Sequence, residues 1–235
     1  MQHFTSEAGE GRVAPGLIRK AEARFAEMLR AVANLSLAIL RKCLWPGARP
    51  LDAARVCIYR IGNIGDTACA APAIHAIRRA YPNAHLTLLT SPGPAGLVGA
   101  RELLAGTTWI DEIVVYPLER VSTLSGRIEL LRELRARRFD VWIELPVVAA
   151  RYRTLARNML AARAAGAHWG FGWRLGSIYI AVRAQSEVLN FPTEVERLLD
   201  LLRDGGIGTR QSDFALSTTD DDRRAVDALL DGAAL

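Results

Sequence analysis

The feature that most constrains the fold is a regular alternation, from Ala54 onward, of short apolar runs and longer amphipathic stretches. The short runs are rich in Val, Ile and Leu and predict buried strands, and the stretches between them predict helices. Strands that alternate with helices are joined by right-handed crossovers and lie parallel in one sheet. We therefore expect an α/β domain built on a doubly wound, mainly parallel, Rossmann-like sheet.

The predicted strands are Ala54–Arg60, His85–Thr90, Ile110–Tyr116 and Phe139–Leu145, followed by a short strand or turn at His168–Gly172. The predicted helices between them are Asp66–Ala80, Ala95–Leu104, Ser125–Arg138 and Ala149–Ala165. Such a sheet binds ligands beyond the carboxyl ends of its strands.

The sequence flanking this domain divides into three parts. The Rossmann-like domain itself is expected over residues 51–212. Before it we expect a disordered tail over residues 1–16 and an amphipathic helical extension and linker over residues 17–50. Residues 213–235 look like the start of an interdomain or second-domain segment that is cut short, because "DFALS" predicts a strand and "TTDDDRRAVDALL" a helix that soon stops. The preceding helix, "FPTEVERLLDLLRDGGI", is closed by Gly205 and Gly206.

The helix of the extension is predicted to run from Leu17 to Trp45. Its apolar centre, Ala31–Leu40, contains Asn34 and Ser36 and falls well short of the ~20 apolar residues that a membrane span needs. The pattern favours packing on a domain or in a dimer. Contact with a membrane surface through residues 17–45 stays open, because a basic amphipathic helix can lie in the lipid interface.

Charge and cysteine content narrow the class of protein. The net charge is +5, and the basic residues are nearly all arginine, which pairs well with phosphate and carboxylate groups. That excess fits a phosphorylated substrate, an anionic membrane or nucleic acid, although solubility alone explains it equally well. Cys43, Cys57 and Cys69 show no paired spacing, so we expect neither disulfides nor zinc and infer a reducing compartment.

The stretch "RIGNIGDT", Arg60–Thr67, follows the first predicted strand. Gly62 and Gly65 permit close approach of a ligand to the backbone, but their spacing matches neither the dinucleotide fingerprint nor the P-loop. Asp66 falls at the start of a helix, where the helix dipole favours the ionised carboxylate. Such a carboxylate can take a proton from a bound hydroxyl, or it can simply cap the helix. This stretch alone leaves both alternatives open.

The surrounding residues resemble a known pattern: a strand, G-D-x-x-x-x-x-P-A, a helix, Y-P-x-A and a second strand. The matching positions are Gly65, Asp66, Pro72, Ala73, Tyr81, Pro82 and Ala84. Further similar segments follow in order, namely "WIDEIVVYP", "RRFDVWIELP", "GAHWGFGWR" and the helix that Gly205 closes. Together, residues 54–230 resemble the N-terminal half of glycosyltransferase family nine, the ADP-heptose:lipopolysaccharide heptosyltransferase group.

The resemblance implies a GT-B architecture, in which two Rossmann-like domains face each other across a cleft. It implies inverting transfer of a sugar, usually heptose from an ADP-sugar, onto the lipopolysaccharide core, with this chain as the acceptor-binding half. Asp66 would be the catalytic base. Acceptor binding would fall to five residues around it: Arg60, Gly62, Asn63, Gly65 and Thr67. Arg153, on the helix after the fourth strand, is a further candidate for binding phosphate groups of the acceptor, and a solvated helix face explains it at least as well.

The same resemblance implies the partners and the location. No cofactor and no metal are expected, and the nucleotide sugar, ADP-heptose, is a co-substrate. The partners are then this donor and a glycolipid acceptor at the inner membrane, not nucleic acid. The protein would be cytoplasmic, or peripheral on the cytoplasmic face of that membrane.

The sequence also departs from the family pattern. After the fourth strand, "IELPVVAARYR" carries Glu144 as its single acidic residue and a proline at Pro146, so the acceptor could differ. The glycine-rich and K-x-W-P-type signals of the donor-binding half are absent, and this chain alone is expected to be inactive. The alternative is a non-catalytic Rossmann-like module that binds an anionic or nucleotide ligand or a membrane surface.

For three other features of the sequence we favour a structural role over a functional one. The acids at Asp220–Asp222 open a helix, where the dipole favours them, although a D-x-D pattern holds metal in other glycosyltransferases. His75 is a lone histidine and is more often structural than a ligand. Trp169, Phe171 and Trp173 alternate around two glycines and are expected to pack in the core rather than to stack on a sugar.

Overall fold

A computed structural model of the chain describes residues 15–91, 99–104, 107–176, 192–209 and 220–232. Its centre is a sheet of five strands, all paired in parallel, in the order β3–β2–β1–β4–β5. The strands are β1 (Arg55–Tyr59), β2 (His85–Thr90), β3 (Glu112–Val115), β4 (Val141–Glu144) and β5 (Trp169–Phe171). The predicted Rossmann-like, parallel α/β fold is confirmed, and the fifth segment is a strand.

The helices lie between and around these strands. They are α1 (Pro15–Leu44), α2 (Ile64–Ala80), α3 (Ala100–Leu103), α4 (Leu124–Ala136), α5 (Tyr152–Ala164), α6 (Glu194–Asp204) and α7 (Asp220–Gly232). A 3-10 helix, Leu118–Ser122, precedes α4. α6 ends at Asp204 and is followed by Gly205 and by Gly206, which has a positive φ of 78°, where the sequence predicts the C-terminal cap.

Several predicted segments fall outside the described residues. These are the first fourteen residues of the predicted disordered tail, residues 95–98 of the predicted helix Ala95–Leu104, and the predicted strand at residues 213–217. α1 begins at Pro15, two residues earlier than predicted. The division of the chain into an extension, a domain and a further segment stays a prediction.

The sheet is buried because helices cover its two faces, as its continuous apolar strands require. Val56, Cys57 and Ile58 of β1 have no solvent exposure, and α2 presents Ile74 and Ile77, which are equally buried. The Asp140 carboxylate accepts hydrogen bonds from the backbone N–H groups of Ala54 and Arg55 at 2.8 and 2.9 Å. This contact ties the start of β4 to the start of β1. All three cysteines are free.

α1 packs on the domain along one of its faces. Leu37 is fully buried, and Trp45, just past the helix, stacks on Trp173 with ring centroids 5.2 Å apart. The Trp45 indole N–H also donates to the carbonyl oxygen of Ala167 at 2.8 Å. In the part of the chain that the structure describes, no helix is long and apolar enough to span a membrane.

Candidate active site

The strand order places the loop between β1 and α2 at the point where the sheet changes direction. β1 lies between β2 and β4, so the connections that leave its carboxyl end and that of β4 diverge to opposite sides. A crevice at this point is where open α/β sheets bind their ligands. The loop, Arg60–Asn63, is the segment that the sequence singles out.

Asp66 lies in the first turn of α2 and folds back over the loop. Its Oδ2 atom accepts a hydrogen bond from the Asn63 backbone N–H at 3.0 Å, which is the reach-back half of a capping box. The Asp66 side chain nevertheless remains 39% exposed. Asp66 therefore caps the helix and at the same time presents its carboxylate to solvent at the carboxyl edge of the sheet.

Gly62 makes this conformation of Asp66 possible. A Cβ atom on Gly62 would lie 2.4 Å from the Asp66 Cβ and 2.8 Å from its Oδ2. A Cβ atom on Gly65 would meet nothing within 4 Å. Only the first of the two glycines is thus required by the packing of the loop.

Arg60 lies beneath Asp66 and is 1% exposed. Its Nη1 donates to the carbonyl oxygens of Leu145 and Pro146 at 3.1 and 3.0 Å, after β4. Its Nη2 donates to Asp66 Oδ1 at 3.3 Å and to Glu194 Oε1 at 3.1 Å. Burial lowers the pKa of the Arg60 guanidinium, and the Glu194 and Asp66 carboxylates oppose that shift. Both terminal nitrogens are engaged within the protein, so Arg60 positions Asp66 and is not presented to a ligand.

Glu194 and Arg197 complete this cluster, and sequence reasoning missed both. Glu194 stands in the first turn of α6, and its carboxylate accepts from Arg197 Nε and Nη2, each at 2.7 Å. Arg197 also donates to the Pro146 carbonyl oxygen. The cluster thus contains two arginines, Arg60 and Arg197, and two acidic residues, Asp66 and Glu194, so its formal charges balance. Nothing in the local pattern around Glu194 signals this contact, because it is 134 residues from Arg60.

The other predicted acceptor-binding residues differ in their accessibility. Asn63 and Gly65 are exposed beside Asp66, whereas Thr67 is buried and its hydroxyl donates to the Asn63 carbonyl oxygen at 3.2 Å. Arg153 is exposed in the first turn of α5 and bonds to no residue of the loop in the described part of the chain. The structure thus gathers the loop residues around Asp66 and leaves Arg153 apart.

Glu144, at the carboxyl end of β4, is a buried acid next to this site. It is 2% exposed, and its Oε1 accepts from Asn158 Nδ2 at 2.8 Å. Burial raises the pKa of Glu144 to about 8, while Asn158 and the nearby indoles of Trp142 and Trp173 oppose the shift. Among the described residues, neither the two indole N–H groups nor Glu144 Oε2 forms a hydrogen bond of normal geometry. Glu144 is therefore largely neutral at pH 7.

The remaining candidate residues, a histidine and three aromatic residues, pack against other rings of the protein. His75 stacks on Trp109 with ring centroids 4.8 Å apart. Trp169, Phe171 and Trp173 are each less than 8% exposed and pack on the protein's own rings. Among the described residues, no three His, Cys, Asp or Glu side chains form a cluster that could hold a metal ion.

A cavity of about 360 Å³ lies away from Asp66, between α1, β5 and the end of α6. Its lining includes Arg41, Trp169 and Asp204. Asp66 does not border it. The carboxyl edge of the sheet is the better candidate on chemical grounds, because the exposed carboxylate lies there.

No protein-family model and no curated protein sequence matches this chain. Among solved structures, a glycosyl transferase family 9 structure from Veillonella parvula DSM 2008 matches with a TM-score of 0.56 and 19% identity, over 80% of this chain and 52% of that one. E. coli heptosyltransferase WaaC, with ADP-2-deoxy-2-fluoro heptose and with ADP, gives TM-scores of 0.46 and 0.45 at 17% identity, over 67% of this chain and 50% and 49% of those chains.

The chain spans about half the length of the solved structures that it matches. The resemblance inferred from the sequence motifs is thereby confirmed at the level of the fold. The described residues share the α/β fold of about half of the Veillonella family 9 glycosyltransferase structure.

Proposed function

We propose that this chain is the acceptor-binding half of an inverting glycosyltransferase. The observation that carries the proposal is the Asp66 carboxylate, which is held at the switch point of the sheet by Arg60 and by the Asn63 N–H and is still 39% exposed. The fold shared with a family 9 glycosyltransferase supports the same reaction class. Heptose transfer from an ADP-sugar to a lipopolysaccharide core glycolipid is the specific reaction that we propose.

In this reaction Asp66 acts as the general base. The acceptor hydroxyl approaches the exposed side of the carboxylate and attacks the anomeric carbon of the donor. A carbon–oxygen bond forms to the acceptor, the bond from the anomeric carbon to the ADP phosphate breaks, and the hydroxyl proton passes to Asp66. Attack from the face opposite the leaving group inverts the anomeric centre.

Arg60 acts through Asp66 and not on the acceptor. Its hydrogen bond to Oδ1 and the Asn63 N–H bond to Oδ2 fix the carboxylate plane, as a base needs if its proton acceptor is to be aimed. Asn63 and Gly65 are exposed beside it and are the loop residues that we propose to contact the acceptor. Thr67 supports the loop from inside.

The partners follow from the proposed chemistry. The donor is a nucleotide sugar, of the kind named for the WaaC structures. The acceptor is a glycolipid at the inner membrane, and an ADP-sugar donor places the reaction on the cytoplasmic side. This chain spans only about half of the matched glycosyltransferase structure. We propose that donor binding requires residues that correspond to the other half.

A transfer assay with the complete gene product tests the proposal, with ADP-heptose as donor and a lipopolysaccharide core glycolipid as acceptor. Asp66→Asn should lower kcat by about 10²- to 10⁴-fold, because it removes the base but keeps an oxygen that can accept from Asn63. Asp52→Asn, at an exposed carboxylate remote from the loop, is the matched control. Undiminished turnover in Asp66→Asn would reject the assigned role.

Calorimetric titration of this chain separates the proposal from the non-catalytic alternative. We expect the core glycolipid to bind without the donor, and Asn63→Ala to weaken that binding. Binding of ADP alone, with no binding of glycolipid, would instead support a nucleotide-binding module and contradict the acceptor assignment.

A further inference from the structure

A row of large apolar side chains runs along the solvent side of α1. We name it the outer stripe, and each of its members is more than half exposed: Phe25, Met28, Leu29, Val32, Leu35 and Ile39. Their spacing places them on one face of the helix. Contiguous apolar surface of this kind is uncommon on a monomer and marks a site of interaction.

The opposite face of α1 is the one that packs on the domain. Leu37 is fully buried there, and Asn34 Oδ1 accepts from the Leu175 N–H at 2.8 Å. Arg41 Nε donates to the Gly170 carbonyl oxygen at 2.9 Å. The outer stripe consequently faces away from the sheet, and the described part of the chain does not cover it.

The surface around the outer stripe is cationic from Met28 onward. The acidic residues of α1 are Glu22 and Glu27, and Glu27 pairs with Arg30. The sequence has no Asp or Glu from Met28 to Leu51, and none from Leu145 to Gly176. The second of these acid-free segments contains α5, which lies beside α1, where the Ser36 and Tyr152 hydroxyls are 3.1 Å apart. Around the exposed face of α5 stand four solvent-exposed arginines: Arg151, Arg153, Arg157 and Arg163.

No carboxylate in the described residues lies within ion-pair distance of these four arginines. Leu160, 52% exposed, lies on the same helix. An apolar stripe edged by unpaired cations is the pattern of a helix that lies in the interface of an anionic membrane.

α1 is also oriented so that the outer stripe extends toward the candidate site. Trp45, at its carboxyl end, contacts Ala167, which precedes β5, whereas Asn34 contacts Leu175, which follows β5. Phe25 lies nine positions before Asn34, roughly 13 Å further along the axis at 1.5 Å per residue. The amino-terminal half of the outer stripe therefore lies on the carboxyl side of the sheet, which is also the side on which Asp66 is exposed.

We infer that the outer stripe docks this protein on an anionic lipid bilayer, with the α5 arginines toward the headgroups. A second copy of the chain is a poorer occupant, because a two-fold contact through the outer stripe would bring the same cationic surface of both copies together. This inference goes beyond the proposed reaction and does not depend on it, since vesicle binding needs neither donor nor acceptor.

Sedimentation of the full chain with vesicles tests the inference. Wild-type protein should bind vesicles of phosphatidylcholine with added phosphatidylglycerol, should bind phosphatidylcholine alone much more weakly, and should be released by salt. Leu35→Glu, in the outer stripe, should weaken binding to the anionic vesicles by about tenfold or more. Leu124→Glu is the matched control, because Leu124 is 72% exposed on α4, outside the outer stripe.

Arg163→Gln should weaken the binding to anionic vesicles less than Leu35→Glu and should reduce its dependence on salt. Equal binding by Leu35→Glu and wild type would overturn the inference, as would equal binding to neutral and anionic vesicles. A dimer that Leu35→Glu dissociates, in a protein that binds no vesicles, would assign the outer stripe to a second copy instead. Unchanged far-ultraviolet circular dichroism establishes that both variants fold.

Discussion

Arg60 Nη2 lies 3.3 Å from Asp66 Oδ1, and this guanidinium is almost completely buried. The same nitrogen reaches Glu194 at 3.1 Å, and Nη1 reaches the two carbonyl groups that follow β4. One side chain thus joins the loop after β1, the loop after β4 and the start of α6. The orientation of the exposed carboxylate depends on a residue that no acceptor can touch.

Replacing Arg60 with methionine should destabilise the fold by about 3 kcal/mol. The change removes the buried donor of the Leu145 carbonyl group and one of the donors of Glu194 and of the Pro146 carbonyl group, which keep Arg197. Chemical denaturation measures the change in the free energy of unfolding. Arg132→Met, at an exposed position of α4, is the control and should change that free energy by less than about 0.5 kcal/mol. Equal losses in the two variants would show that the cluster contributes nothing.

The two loop glycines should respond in opposite ways to alanine. In Gly62→Ala the new Cβ would come within 2.4 Å of the Asp66 Cβ, so the carboxylate must turn away from Asn63 and Arg60, at a cost of about 1–3 kcal/mol. Gly65→Ala meets no atom within 4 Å and lies in α2, so it should be neutral or stabilise by up to about 1 kcal/mol. Thermal unfolding of both variants compares them directly, and a tolerated Gly62→Ala would contradict the described packing of Asp66.

The sheet and its helices could be predicted from the sequence because their signals are local. Alternating apolar runs set β1, β2 and β4 to within a few residues, and the strand–helix repeat dictates parallel pairing. The position of Asp66 at a helix start was also predictable, because the residues around it set that start.

The contacts among distant charged residues could not be predicted in this way. Arg60 was expected to bind the acceptor because it flanks Asp66 in the segment that resembles the family pattern. Its burial and its pairing with Glu194 depend on where α6 packs, which no pattern near residue 60 encodes. The contact of Thr67 is local by contrast, because its hydroxyl donates to the Asn63 carbonyl oxygen one helical turn earlier.

Trp45→Ala should destabilise the protein by about 3–5 kcal/mol, because the indole stacks on Trp173 and donates a buried hydrogen bond to the Ala167 carbonyl oxygen. Unfolding should remain a single transition if α1 and the domain fold as one cooperative unit. Phe25→Ala is the control, since Phe25 is 58% exposed on the same helix. A variant of Trp45 that loses the α1 contacts without any loss of domain stability would show instead that α1 is only loosely attached.

The buried Glu144 should make stability fall as the pH rises. Its pKa is about 8 in the folded protein and near 4.5 when unfolded, so between these values the folded state holds a proton that the unfolded state has released. Raising the pH through this window therefore favours unfolding, by roughly 3 kcal/mol at pH 7 relative to pH 4. Carboxyl groups with a lowered pKa, such as Glu112, titrate below the window and do not mask the effect.

Glu144→Gln removes the ionisable group but keeps an oxygen that can accept from Asn158. Denaturant unfolding at a series of pH values should show a free energy that declines from pH 5 to pH 8 in the wild type and a flatter profile in this variant. Glu129→Gln, at a side chain that is 61% exposed, should retain the wild-type decline. If Glu144→Gln and the wild type decline in parallel, the proton is not held at Glu144 and another group must account for the slope.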